Sequence, residues 1–199
     1  MSTETEQIPA ATSLGGDPAA LGLAGFAFTT LVLSFGNSGI IKESGAIAIV
    51  FGLAIFYGGL GQLVAGILEF RRGNTFGGTA FFSFGAFWLS FWWLNTHPAG
   101  GDIHEAIGLY LILWAVFTAF MSLAALKTST ITLSVFVALT LTFLFLALGA
   151  WQNSATNTAS LTKVGGYLGI LTGILALYNA AAVVVNATHK RDFLPTWPR

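Results

Sequence analysis

Glu69-Phe-Arg-Arg-Gly-Asn-Thr-Phe-Gly77 is a short charged turn between two long apolar segments. Charge is scarce elsewhere: 8% of the 199 residues are Asp, Glu, Lys or Arg, whereas 55% are hydrophobic. Soluble proteins carry about 25% charged residues, so this chain cannot cover a surface that faces water on all sides. Residues 46–68 precede the turn and residues 76–94 follow it. Each is close to the roughly 20 residues that cross a hydrocarbon core about 30 Å thick. Four more blocks of that kind lie at 21–40, 106–126, 131–151 and 164–185. A β-barrel would instead show segments of about ten residues with alternating polarity. The pattern predicts an all-α integral membrane protein of six transmembrane helices with short loops. It forms one domain, residues 17–189, between a polar amino-terminal tail, 1–16, and a carboxy-terminal tail, 190–199.

The turn also orients the chain. Six spans place both termini on one side, together with Arg71, Arg72, Lys127, Lys190, Arg191 and Arg199. The other side holds only Lys42 and Lys163. Lys and Arg accumulate in cytoplasmic loops, so both termini are expected in the cytoplasm and the protein in the plasma membrane. Glu69 reads as an interfacial partner of Arg71 or Arg72 that shapes the turn without touching a solute.

Several functions are excluded by what is missing. Formal net charge is zero and there is no basic patch for nucleic acid. Cysteine is absent, which removes disulfides and thiolate metal sites. His97 and His104 share a loop with Asp102 and Glu105, but no His-x3-His or His-Glu-x-x-His spacing supports a metal. No embedded Ser/His or paired-Asp arrangement points to an enzyme, and no cofactor is implied. The spans carry hydroxyls and amides, among them Thr29, Thr30, Gln62, Ser83, Thr142 and Asn179. Such groups suit a small polar solute that needs hydrogen bonds without a fixed counter-charge. Gln62 is the most telling, because an amide in lipid must face protein or water. Gly165, Gly169 and Gly173 recur on one face of the last span, either for packing within the chain or for a subunit interface.

The chain resembles the microbial acetate uptake transporter family, the acetate–succinate permeases. The resemblance rests on Leu21-Gly-Leu-Ala-Gly-Phe-Ala-Phe-Thr-Thr30, Ile55-Phe-Tyr-Gly-Gly-Leu-Gly-Gln-Leu-Val-Ala-Gly66 and the opening turn, with Phe87-Trp-Leu89 and Trp114-Ala-Val-Phe-Thr118 in the same order. It implies a six-helix protomer enclosing one solute path, assembled as a homo-hexamer in the lipid bilayer. The implied substrate is acetate, with succinate and related short carboxylates taken by some members. The family's neck of Phe, Tyr and Leu falls on Phe26, Phe84 and Leu139, so Phe84 lacks the usual hydroxyl. Thr29, Thr30, Tyr57, Gln62 and Ser83 are the candidate polar lining. The family's amino-terminal motif, Asn-Pro-Ala-Pro-Leu-Gly-Leu, reads here Asp17-Pro-Ala-Ala-Leu-Gly-Leu23. Two rival readings are a channel for a neutral solute such as water, ammonia or a polyol, and a non-transporting membrane sensor.

Overall fold

The computed structural model describes residues 15–43, 45–97, 100–152 and 160–199. Most of the polar amino-terminal tail and of the loop 153–160 lies outside these. The chain is all-helical. Helix α1 is Ala19–Asn37, and α2 is one rod in three parts: Ala46–Ile55, a π-helical turn at Phe56–Gly61, and Gln62–Arg71. Then follow α3, Thr75–Thr96; α4, His104–Ala125; α5, Thr130–Trp151; and α6, Ser160–His189. Five of the six, all but α3, are long and apolar enough to cross a membrane. Helix α3 has the length, 22 residues or about 33 Å. Its Gly, Ser, Thr and Asn dilute its apolar character.

Small residues hold the helices together, because lipid removes the hydrophobic drive for association. The glycine face of α6 packs against other helices of the same chain. A methyl group at Gly173 would meet Leu31 Cγ of α1 at 2.6 Å, and one at Gly165 would meet Leu146 of α5 at 2.8 Å. Helix α2 crosses α1 and α3 at its π turn. There a methyl group at Gly58 would stand 2.6 Å from Thr29 Oγ1 and 2.9 Å from Trp88 Cδ1. A π turn adds a residue to the helical circuit and is frequent at functional positions. Gln62 follows it directly.

The α2–α3 turn is wound by its own side chains. Gly73 takes a left-handed φ of +77°, which glycine adopts without steric cost. Asn74 caps α3 by accepting the Gly77 N–H at 3.0 Å. Its amide Nδ2 donates to Glu69 Oε2 at 2.8 Å. Gly77 leaves room for this bridge: a methyl group there would meet Asn74 Nδ2 at 2.6 Å and Glu69 Cδ at 3.1 Å.

The carboxy-terminal tail folds back over the same end of the bundle. Thr130 N–H donates to Trp197 O at 2.8 Å and Ile131 N–H to Thr196 O at 3.5 Å, which satisfies donors at the start of α5 that have no intrahelical partner, and Arg199 N–H donates to Thr128 O at 3.0 Å. Asn186 holds Leu194 through both its amide oxygen and nitrogen, each at 2.8 Å. Trp197 stacks on Tyr178.

Candidate functional site

Two cavities enter the bundle from opposite ends. The one on the side of the termini has a volume of about 410 Å³ and is bounded by the starts of α1, α3 and α5, the end of α2 and the tail residues Thr196 and Pro198. The distal one, about 590 Å³, is bounded by the opposite ends of those helices, at Asn37, Asn95 and Gly149 among others. Phe26 of α1 and Leu139 of α5 line both. Phe84 of α3 lines the terminal cavity and packs on Phe26 with ring centroids 5.6 Å apart. All three side chains are buried. They sit in an aromatic wall that includes Phe117, Phe136 and Trp114 around Phe84.

The candidate polar residues divide. Thr30 lines the distal cavity and Gln62 the terminal one. Thr29, Tyr57 and Ser83 line neither. Thr29 is buried at the α1–α2 crossing, where its hydroxyl donates back to Gly25 O at 2.8 Å. The Tyr57 ring packs against Phe28, an exposed residue on the outside of α1. Ser83 is half-buried on α3, away from both cavities.

Two further residues have the character of lining groups. The indole of Trp88 is buried against the distal cavity. Glu69, expected at the interface beside an arginine, is only 1% exposed and lines the terminal cavity. Arg72 turns instead to Asp17, at 2.8 Å. Seven residues separate Gln62 from Glu69, two helical turns, so both fall on one face of α2. That spacing was the available signal in the sequence.

The hydrogen-bond accounting is selective. Among the described residues, the buried side-chain atoms without a protein partner are Thr30 Oγ1, Trp88 Nε1, both polar atoms of Gln62 and Glu69 Oε1. Each belongs to a residue that lines one of the two cavities. Buried polar groups are nearly always paired, and other polar groups within the bundle are: Thr142 and Thr172 bond each other at 3.2 Å, and Asn179 donates to Thr132 at 3.1 Å. No group of three or more metal-ligating side chains occurs among the described residues.

Residues 2–198 match the model of the GPR1/FUN34/yaaH family. The succinate-acetate/proton symporter SatP of Escherichia coli is 42% identical over 183 residues, covering 90% of this chain and 94% of that protein. Acetate permease A of Emericella nidulans is 36% identical over 90% of this chain and 65% of its own length. Ammonia transport outward protein 2 of Saccharomyces cerevisiae is 40% identical over 92% of this chain and 65% of its length. The solved structure of the bacterial acetate channel SatP superposes with a TM-score of 0.82 at 39% identity, over 92% of this chain and 99% of that one. A six-helix membrane bundle with two opposed cavities, this chain belongs to the GPR1/FUN34/yaaH family of transporters and channels.

Proposed function

We propose that the chain passes small carboxylates, acetate foremost, from one cavity to the other across the neck of Phe26, Phe84 and Leu139. The observation that carries this reading is that, among the described residues, every unpartnered buried side-chain polar atom belongs to a residue lining one of the two cavities. Trp88 N–H and the Thr30 hydroxyl are donors suited to carboxylate oxygens. The neck is apolar and its three side chains are buried, which disfavours hydrated ions and accepts a methyl group. A carboxylic acid crosses such a neck most readily in its neutral form, so the solute carries its own proton. The names borne by the bacterial and fungal relatives support the same substrate class. On this reading each protomer has its own path, and protomers assemble as a homo-hexamer in the plasma membrane with both termini cytoplasmic. Uptake of labelled acetate by proteoliposomes should be saturable, competed by propionate and accompanied by internal acidification. Uptake no faster than in protein-free vesicles would sink the proposal.

A second reading, passage of ammonia, is favoured by the yeast relative's name and by the predominance of uncharged lining. Ammonia flux that acetate does not compete with, in vesicles that show no saturable acetate uptake, would select it.

A further inference from the structure

We propose that Glu69 is the proton-exchanging group of the path, and that Asp17 links it to water at the cavity mouth. The proposal rests on the carboxylate reading above. Among the described residues, Glu69 is the one ionisable group lining the terminal cavity. A carboxyl group that merely pinned the turn would pair with Arg72, but Arg72 is engaged by Asp17 at 2.8 Å. The turn instead fixes only half of the Glu69 carboxyl. Asn74 Nδ2 donates to Oε2 at 2.8 Å, while Oε1 is buried and receives no hydrogen bond, with the Asp17 carboxyl close to the same group. Burying a carboxyl with an unused oxygen costs free energy. A passing solute offers that oxygen its partner.

The bond from Asn74 also decides where a proton sits. Because Nδ2 donates to Oε2, the neutral carboxyl is better served by a proton on Oε1, which leaves the stronger acceptor to the amide. Charged groups near Glu69 come from two places: Asp17 ahead of α1, and Arg72 in the turn, acting on it with opposite sign. Helices α3, α5 and α6 and the tail contribute only uncharged residues to this cavity, such as Phe84, Thr132, Asn179 and Thr196. Asp17 is exposed, two residues before Ala19 of the cavity lining, and its carboxyl interacts with that of Glu69, so the pair runs from water to buried cavity.

The step is reversible. A neutral acid that has crossed the neck loses its proton to Glu69 Oε1: the solute O–H bond breaks, its electron pair stays on the solute, and a Glu69 O–H bond forms. The solute leaves as a carboxylate, and Glu69 then releases the proton to water past Asp17. In the opposite direction Glu69 protonates an arriving carboxylate before it meets the phenyl rings of the neck. Gln62, two turns nearer the π turn on the same face, hydrogen-bonds the solute on either side of the exchange. Its amide donates to a carboxylate and its carbonyl accepts from an acid.

The test is acetate flux in proteoliposomes, corrected for protein-free vesicles, for wild type, Glu69→Gln and Glu69→Asp. At about pH 7.5 the bulk holds little neutral acid, and Glu69→Gln should fall at least about tenfold below wild type. At about pH 5 the bulk supplies neutral acid, and the deficit should shrink to about threefold or less. Glu69→Asp should keep the wild-type pH profile at a lower rate. The same deficit at every pH, no deficit, or a gain in flux overturns the proposal. A second readout is the infrared C=O band of protonated carboxyl groups in nanodisc-embedded protein, with carbon-13 acetate to displace the solute's own band. Wild type should show an acetate-dependent change that Glu69→Gln lacks. A wild-type spectrum that ignores acetate overturns the proposal even where the variant fails to insert. Absence of wild-type acetate flux would instead remove the carboxylate reading beneath it.

Discussion

The two cavities share a neck and differ in what they can do to a solute. Beyond the neck on the distal side, the unpartnered groups are an indole N–H and a hydroxyl, Trp88 and Thr30. Their charge does not change. The terminal cavity is smaller, about 410 Å³ against 590 Å³, and it contains a carboxyl. The first chamber can recognise a carboxylate by donation, while the second can alter its protonation state. On the proposed reading the contrast puts selectivity and proton handling on opposite sides of one apolar layer. The coupling then requires no charged residue in the middle of the membrane, where charge is most costly.

Removing the layer should have the largest effect. Phe26→Ala combined with Leu139→Ala joins the two cavities, and the leak of glycerol through proteoliposomes should rise by well over about tenfold. Light scattering after an osmotic step measures it. An unchanged leak would mean that the barrier lies elsewhere and the two chambers are not functionally separate. The next test separates them by chemistry. Trp88→Phe keeps the ring and removes the donor, a bond to a charged partner worth about 1.5–3 kcal/mol when fully formed. Partial replacement by water leaves an expected rise in KM for acetate of about fivefold, with the pH profile of flux unmoved. A pH profile that shifts as in Glu69→Gln would erase the difference between the cavities.

A third variant addresses how the carboxyl is held. Gly77→Ala drives a methyl group against Asn74 Nδ2 and Glu69 Cδ, so the Asn74–Glu69 bond must lengthen. Loss of about 2 kcal/mol should lower Tm in detergent by about 5 °C and reduce flux at about pH 7.5 about threefold. Unchanged stability would show that the turn has slack and that Asn74 does not fix the Glu69 rotamer.

Six blocks of apolar residues were enough to read the bundle, because lipid demands length and composition of every span. The glycines read as close-packing positions, but which helix they meet was not legible; only the fold places Gly173 on Leu31 rather than on another subunit. The neck positions Phe26 and Leu139, taken from the resemblance, are the two residues that line both cavities. Among the polar residues, composition could not separate lining from packing. Thr29 and Thr30 are neighbours in sequence, yet a step of about 100° around the helix sends one to the α2 crossing and the other to the distal cavity. Glu69 was misjudged because its arginine neighbours suggested an ion pair. Position along α2, seven residues beyond Gln62, was the better guide than local charge.

The smallest expected effect comes from Asp17→Asn, and it bears most directly on what makes the terminal cavity different. Asparagine restores the residue that opens the family's amino-terminal motif. Its amide oxygen can still accept the Ala19 N–H, now held at 3.0 Å, and the Arg72 guanidinium, now at 2.8 Å. The helix start and the mouth should therefore keep their shape. What disappears is a carboxyl beside Glu69, and Arg72 loses its opposing charge. An uncompensated Arg72 then draws the Glu69 carboxylate toward itself, so Glu69 is less available to exchange a proton with the solute. Acetate flux at about pH 7.5 should fall about twofold, with no difference from wild type at about pH 5, because neutral acid from the bulk bypasses the exchange. Proteoliposome flux across that pH range measures it. A variant that follows wild type at every pH would confine the proton chemistry to Glu69 and leave Asp17 as the acceptor that ties Ala19 N–H and Arg72 together. A deficit that is equal at both pH values would make the mouth, rather than the exchange, the step that Asp17 controls.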